Sequence, residues 1–149
     1  MTENEIRKIV EIDASPEVVF KVLTDPNELT NWFPDAAMLE PKVGGKFKFS
    51  FFKDSARACG KRDADSFNEG RILEFVPNKK LVYTWQWNDT PDFSETIVTW
   101  ELEQIGKNKT RLQLTHSGFT GKEPSNKGFQ DHNEGWSIHL NLLSEYYKK

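Results

Sequence analysis

The 149 residues predict an α+β fold, an antiparallel sheet of about six to seven strands covered on one face by a long C-terminal helix. Three observations carry that expectation. Residues 5–13 and five later stretches alternate apolar and polar side chains with the period of two that one covered and one wet sheet face requires. From about Gly128 to Tyr147, a helical wheel at about 100° per residue puts Phe129, His132, Trp136, Leu140, Leu143 and Tyr147 on one stripe. Ser137, Asn141, Ser144, Glu145 and Lys148 share the other side. Between the first alternating run and the rest, Ser15-Pro16 and Asp25-Pro26 announce two short helices.

Taken in order, residues 5–13 turn Ile6, Lys8, Val10 and Ile12 one way and Arg7, Ile9 and Glu11 the other, as in a half-buried strand. Ser15 is a natural N-cap, Pro16 suits the first helical position and Glu17 suits the positive helix end. The helix they start has Val18, Val19, Val22 and Leu23 as its apolar face. Asp25 ends it and caps a second short piece carrying Leu29, Trp32 and Phe33, which Pro34 stops. A turn over Pro41–Gly45 leads into a strand from Gly45 to Phe52, with Phe47, Phe49 and Phe51 on one face and Lys46, Lys48 and Ser50 on the other. The charged, small-residue stretch from Lys53 to Ser66 reads as an exposed hairpin loop.

Phe67–Val76 is the next strand, with Leu73 and Phe75 on one side. Pro77-Asn78 turns the chain, and Leu81, Tyr83, Trp85 and Trp87 then alternate with Val82, Thr84 and Gln86. Asn88 to Asp92 is a turn cluster. Thr96, Val98, Trp100 and Leu102 oppose Glu95, Ile97, Thr99 and Glu101; Leu112, Leu114 and His116 oppose Arg111, Gln113 and Thr115. Gly106–Lys109 joins these two strands as a hairpin, and residues 117–128 lead into the long helix. The covered face therefore offers Phe47, Phe49, Phe51, Leu73, Phe75, Tyr83, Trp85, Trp87, Val98, Trp100, Leu112 and Leu114. That is more aromatic bulk than one helix face covers tightly. Two outcomes stay open: the rings line a space, or they fill a solid core.

A length of 149 residues fits one domain, residues 1–149, able to bury a core without staples. The formal net charge of -3 supplies no basic field for nucleic acid. Cys59 is the one cysteine, so no intramolecular disulfide forms, in keeping with a reducing compartment. The N-terminal stretch lacks the apolar segment of a signal peptide, and no run of about 18 apolar residues offers a membrane span. The expected location is cytoplasmic.

Four stretches together resemble a known family: Ala14-Ser15-Pro16-Glu17-Val18-Val19-Phe20, Trp32-Phe33, Leu81-Val82-Tyr83-Thr84-Trp85, and His132-Asn133-Glu134-Gly135-Trp136 followed by Leu140 and Leu143. They are similar to the single-domain branch of the START-like (SRPBCC) superfamily named after the activator of the 90-kDa heat-shock chaperone's ATPase. The resemblance covers nearly the whole chain, and the order and spacing of its pieces make it specific. It implies a helix-grip fold, a curved antiparallel sheet wrapped around the C-terminal helix with a cavity between. It also implies the superfamily's ligands: lipids, sterols, polyketides and plant aromatic compounds. In the eukaryotic co-chaperone this domain is the C-terminal part, and a separate N-terminal domain makes major chaperone contacts; no counterpart of that second domain is expected here. The stretch from Lys53 to Ser66 departs from the compact hairpin that the resemblance implies.

Other chemistries find little support. His132 and His139 lie seven residues apart, about 10.5 Å along a regular helix, whereas ligands of one zinc sit about 2 Å from it. No cysteine or further histidine completes a set with His116, so no metal and no other cofactor is expected. His132 caps the helix start or lines the cavity mouth. Ser117 lacks the Gly-x-Ser-x-Gly frame of a nucleophile elbow, and no phosphate-loop frame occurs. Glu95, Glu101 and Glu103 fall on the wet face, so no catalytic residue is assigned.

The sequence points to a non-enzymatic binder of a small hydrophobic molecule, lipid-like or aromatic. The lining candidates are Trp32, Phe33, Phe47, Phe49, Phe51, Phe75, Tyr83, Trp85, Val98, Trp100, Leu114, His116, His132, Trp136 and Leu140. Apolar burial at about 25 cal/mol per Å2 supplies affinity, and Tyr83, His116 and His132 orient the ligand. One alternative is a chaperone ATPase regulator acting through an exposed apolar patch outside the cavity mouth. The other is an enzyme like the cyclases and aromatases among START-like relatives.

Overall fold

A computed structural model describes residues 5–51, 66–87, 95–118 and 127–147. The first strand, β1 (Ile6–Ile12), buries Ile6 and Ile12 and exposes Arg7, Ile9 and Glu11, as its alternation requires. Ser15 Oγ accepts from the Val18 N–H at 3.4 Å and starts α1 (Pro16–Thr24). This helix buries Val19, Phe20, Val22 and Leu23, whereas Val18, expected on the apolar face, points outward at 42% exposure. Asp25 Oδ1 accepts from the Asn27 N–H at 2.9 Å and caps α2 (Pro26–Leu29). That helix is shorter than expected, so Trp32 and Phe33 sit on the turn that follows it.

An additional strand, β2 (Ala36–Leu39), has little alternation of its own and forms by pairing with β3 (Lys46–Phe51). The remaining elements are β4 (Ser66–Val76), β5 (Lys80–Trp87), β6 (Thr96–Gly106), β7 (Lys109–Ser117) and α3 (Lys127–Tyr147). All seven strands join one antiparallel sheet in the order β1-β7-β6-β5-β4-β3-β2. The sheet curves, and its inner face carries the core together with α1 and the buried stripe of α3, namely Trp136, His139, Leu140 and Leu143.

One irregularity corrects the reading of β4. Ile72 pairs with Tyr83 and Glu74 pairs with Val82, so Leu73 is an extra residue without a partner. A β-bulge of this kind reverses which alternate residues face inward. Asn68 and Ile72 are buried before it, Phe75 is half-buried after it, and Leu73 is 44% exposed instead of facing the core. Gly70 lies two residues before Ile72, where a Cβ would collide with the Thr84 carbonyl and hydroxyl oxygens.

On the wet face Glu95, Glu101 and Glu103 are exposed, and Arg111 pairs with Glu103 at 2.8 Å. Both partners are solvated, so the pair contributes no more than about 1 kcal/mol. Among the described residues, no helix is long and apolar enough to cross a membrane, and no cluster of three or more His, Cys, Asp or Glu could hold a metal ion. The loop expected over Lys53–Ser66, apart from Ser66, lies outside the described residues with Cys59, as does the turn over Asn88–Asp92. The side chains of Trp87, Phe129 and His132 also lie outside them.

Candidate functional site

Alternate strand residues share a face, so β3 delivers Phe47, Phe49 and Phe51 to the inner surface, β5 delivers Leu81, Tyr83 and Trp85, and β6 delivers Thr96, Val98 and Trp100. From β7 come Leu112, Leu114 and His116. Helical spacing of three and four brings Trp136, His139, Leu140 and Leu143 onto one side of α3. The turn after α2 supplies Trp32 and Phe33.

These rings converge on Phe33. Its centroid lies 5.1 Å from Trp136, 5.5 Å from Phe49, 5.6 Å from Phe51 and 4.9 Å from His139. It is nearly parallel to Trp85, 5° apart in plane at 6.0 Å. Trp136 meets Trp85 at 5.3 Å and Trp100 at 5.5 Å. Trp32 stacks beside Phe33, stands edge-on to Trp100, and donates its indole N–H to the Val22 carbonyl at 3.2 Å. Val98, Leu114 and Leu140 are buried in the same core. Phe75 stands apart: beyond the bulge, its ring meets Phe20 of α1 edge-on at 5.2 Å. His132 cannot be placed among these groups.

Polar groups are threaded through the rings. An indole N–H only donates, so His116 Nδ1 accepts from Trp136 Nε1 at 2.9 Å. The imidazole proton then sits on Nε2, which donates to Thr96 Oγ1 at 2.7 Å. The Thr96 hydroxyl passes its own proton to the Trp85 carbonyl at 3.3 Å. A relay running from Trp136 through His116 and Thr96 to the β5 backbone is thereby satisfied at every step. Trp100 Nε1 donates to the Tyr83 hydroxyl at 2.9 Å. Burial pushes the Tyr83 phenol well above its ordinary range, outweighing the opposing effect of that bond. His139 Nδ1 lies 3.2 Å from the Trp32 carbonyl, which can only accept, so Nδ1 carries the proton.

His139, Thr96 and Asn68 were absent from the candidates drawn from the sequence. His139 lies three residues after Trp136 and four before Leu143, a spacing that marked it as inward. Thr96 shares the parity of Val98, and Asn68 stands opposite Phe49 in the β3–β4 register. Asn68 is 0% exposed, and neither Nδ2 nor Oδ1 has a hydrogen-bond partner among the described residues. Such an orphan costs roughly 1–3 kcal/mol. The buried polar side chains of the described residues include no carboxylate and no lysine. The chemistry on offer is aromatic stacking and hydrogen bonding by neutral groups.

No curated protein matches the chain. Solved structures do. Protein CV1439 from Chromobacterium violaceum is 24% identical, over 98% of each chain, with a TM-score of 0.75. The Aha1 dimer from Colwellia psychrerythraea, a solution structure, is 21% identical over 96% of this chain and 95% of that one, with a TM-score of 0.72. PFC0360w, an HSP90 activator from Plasmodium falciparum, is 23% identical over 95% and 94%, with a TM-score of 0.68. These likenesses establish the fold, the START-like helix grip. Residues 13–148 match the family described as activator of Hsp90 ATPase homolog 1-like protein, and with nearly the whole chain inside that match, the protein belongs to this family.

Proposed function

We propose that the protein binds a small apolar molecule, aromatic or lipid-like, between the inner sheet face and α3. The observation that carries this is the convergence of flat rings around Phe33, together with neutral polar groups on the same face. Binding sites for small molecules combine such apolar walls with a few placed hydrogen-bonding groups. Phe33 is the ring a ligand would replace, because it sits on a turn and not within a strand or helix. A planar ligand taking its place would stack on Trp85 and meet Trp136. On this reading the protein acts as a carrier or sensor. A ligand bound only by the native state raises stability by RT ln(1 + [L]/Kd), about 2.7 kcal/mol at a hundredfold excess over Kd. Flavonoids, fatty acids and sterols form the test panel, read by thermal shift and tryptophan fluorescence. Phe33→Ala should widen the site and change which panel member shifts the melting temperature most. A flat response from both proteins across the whole panel would remove the proposal.

A second reading, regulation of a chaperone ATPase, is favoured by two exposed apolar side chains carried on bonded segments. Val43 is 63% exposed and Leu73 44%. The turn holding Val43 is bonded to Ile72, beside Leu73, through Gly44 N–H to Ile72 O and Ile72 N–H to Gly45 O, both at 2.8 Å. Titrating the protein into an Hsp90 ATPase assay tests it. A saturable rise that Leu73→Lys abolishes would support this reading, and no rise at micromolar protein would remove it.

A further inference from the structure

Three buried polar groups of the inner face, Asn68, Thr96 and His116, lie at one end of the sheet. Asn68 lies near the start of β4, Thr96 opens β6 and His116 lies near the end of β7, positions that the antiparallel order brings to the same end. The opposite end shows Leu81, Leu102 and Leu112, and its one buried polar side chain among the described residues, Thr110, is satisfied by donating to the Ala14 carbonyl at 2.8 Å. Thr96 and His116 satisfy one another within the relay. Asn68 is fully buried and holds both amide atoms without a partner among the described residues. It stands opposite Phe49 on one side and Trp87 on the other.

Native interiors pair nearly all such groups. For packing alone, an apolar side chain of the same shape would avoid the penalty. A carboxamide presents donors and an acceptor in one plane. The geometry points to Asn68 as the specificity-determining contact of the apolar site, reading a ligand edge that carries a hydrogen-bond donor and an acceptor side by side. A cyclic amide fused to an aromatic ring has that edge. Its N–H donates to Asn68 Oδ1, Asn68 Nδ2–H donates to its carbonyl, and its aromatic body packs among the neighbouring rings. This rests on the reading that the inner face takes an apolar ligand.

Two probes of similar size test it by calorimetry: 2-quinolone, with N–H and C=O on one edge, and naphthalene, with neither. The wild-type protein is expected to bind 2-quinolone at least about tenfold more tightly, because a site built for hydrogen bonding rejects the analogue that leaves it unpaired. Asn68→Leu should lose that preference, keep naphthalene binding and melt higher than wild type. A readout needing no variant is the side-chain amide resonance of Asn68, which should move with 2-quinolone and stay put with naphthalene. If naphthalene binds without any preference for 2-quinolone, or if the preference survives in Asn68→Leu, this inference fails and the binding proposal stands. Should wild type bind neither probe, this inference fails, and the binding proposal is decided by its own ligand panel. An Asn68→Leu protein that melts lower with its preference intact would make Asn68 a structural residue and overturn the inference.

Discussion

Replacing Trp136 by phenylalanine isolates one atom pair in the relay. Trp136 is 2% exposed, and its indole N–H donates to His116 Nδ1 at 2.9 Å. Phenylalanine keeps a ring among Phe33, Trp85 and Trp100 but cannot donate. Two losses add. The smaller ring buries on the order of 50 Å2 less apolar surface, about 1 kcal/mol at roughly 25 cal/mol per Å2. The orphaned imidazole acceptor adds about 1–3 kcal/mol. The total, about 2–4 kcal/mol, is a large share of the roughly 5–15 kcal/mol that holds a domain folded. Urea denaturation reads it as a lower midpoint at unchanged slope. Once the indole N–H is gone, the imidazole is no longer held to one tautomer. Thr96→Val should therefore cost less in the Trp136→Phe background than in wild type, with a coupling of about 0.5–3 kcal/mol. A loss near 1 kcal/mol combined with strictly additive behaviour would refute the reasoning, because ring size alone would then explain the variant.

Further outcomes follow from the same geometry. Phe20→Ala should destabilise by about 3–5 kcal/mol, while exposed Val18→Ala stays within about 0.5 kcal/mol; equal effects in denaturation would mean that α1 is rotated from its described face. Gly70→Ala should cost about 3 kcal/mol, since its Cβ meets Thr84 oxygens where Arg71 N–H donates to Thr84 Oγ1 at 2.9 Å; a melting temperature like that of wild type would contradict the close approach of β4 and β5. Alkali should also destabilise. The unfolded Tyr83 phenol ionises near pH 10 and the folded one well above it, so the unfolded state releases the proton first and stability falls as pH rises above about 10. Tyr147 adds to the same trend, its phenol pushed up to about 12 by burial first and then by Glu28 and Tyr146. Tyr83→Phe should flatten the fall measured by denaturation between about pH 10 and 12, and an unchanged slope would show that Tyr83 is not the buried phenol responsible.

The chain's own pattern determined the strands with strict alternation, the caps at Ser15 and Asp25, and the α3 stripe of Trp136, Leu140 and Leu143. These are local signals: a period of two or of about 3.6 is written in neighbouring residues and needs no partner to be read. Phe47, Phe49, Tyr83, Trp85 and Trp100 were assigned to one face on that basis, and each is buried there. Tertiary structure decided the rest. β2 has little alternation of its own and becomes a strand through hydrogen bonds to β3. On α1, Val18 and Phe20 flank the line of Val19, Val22 and Leu23 almost symmetrically, and docking against Phe75 drew Phe20 inward. The extra residue at Leu73 reversed the parity of β4, which no count along β4 alone reveals because the bulge exists only against β5. Asn68, Thr96 and His139 look like blemishes in an apolar pattern. Their meaning comes from what surrounds them, since a buried polar atom is satisfied or orphaned only by groups that the fold brings from distant parts of the chain.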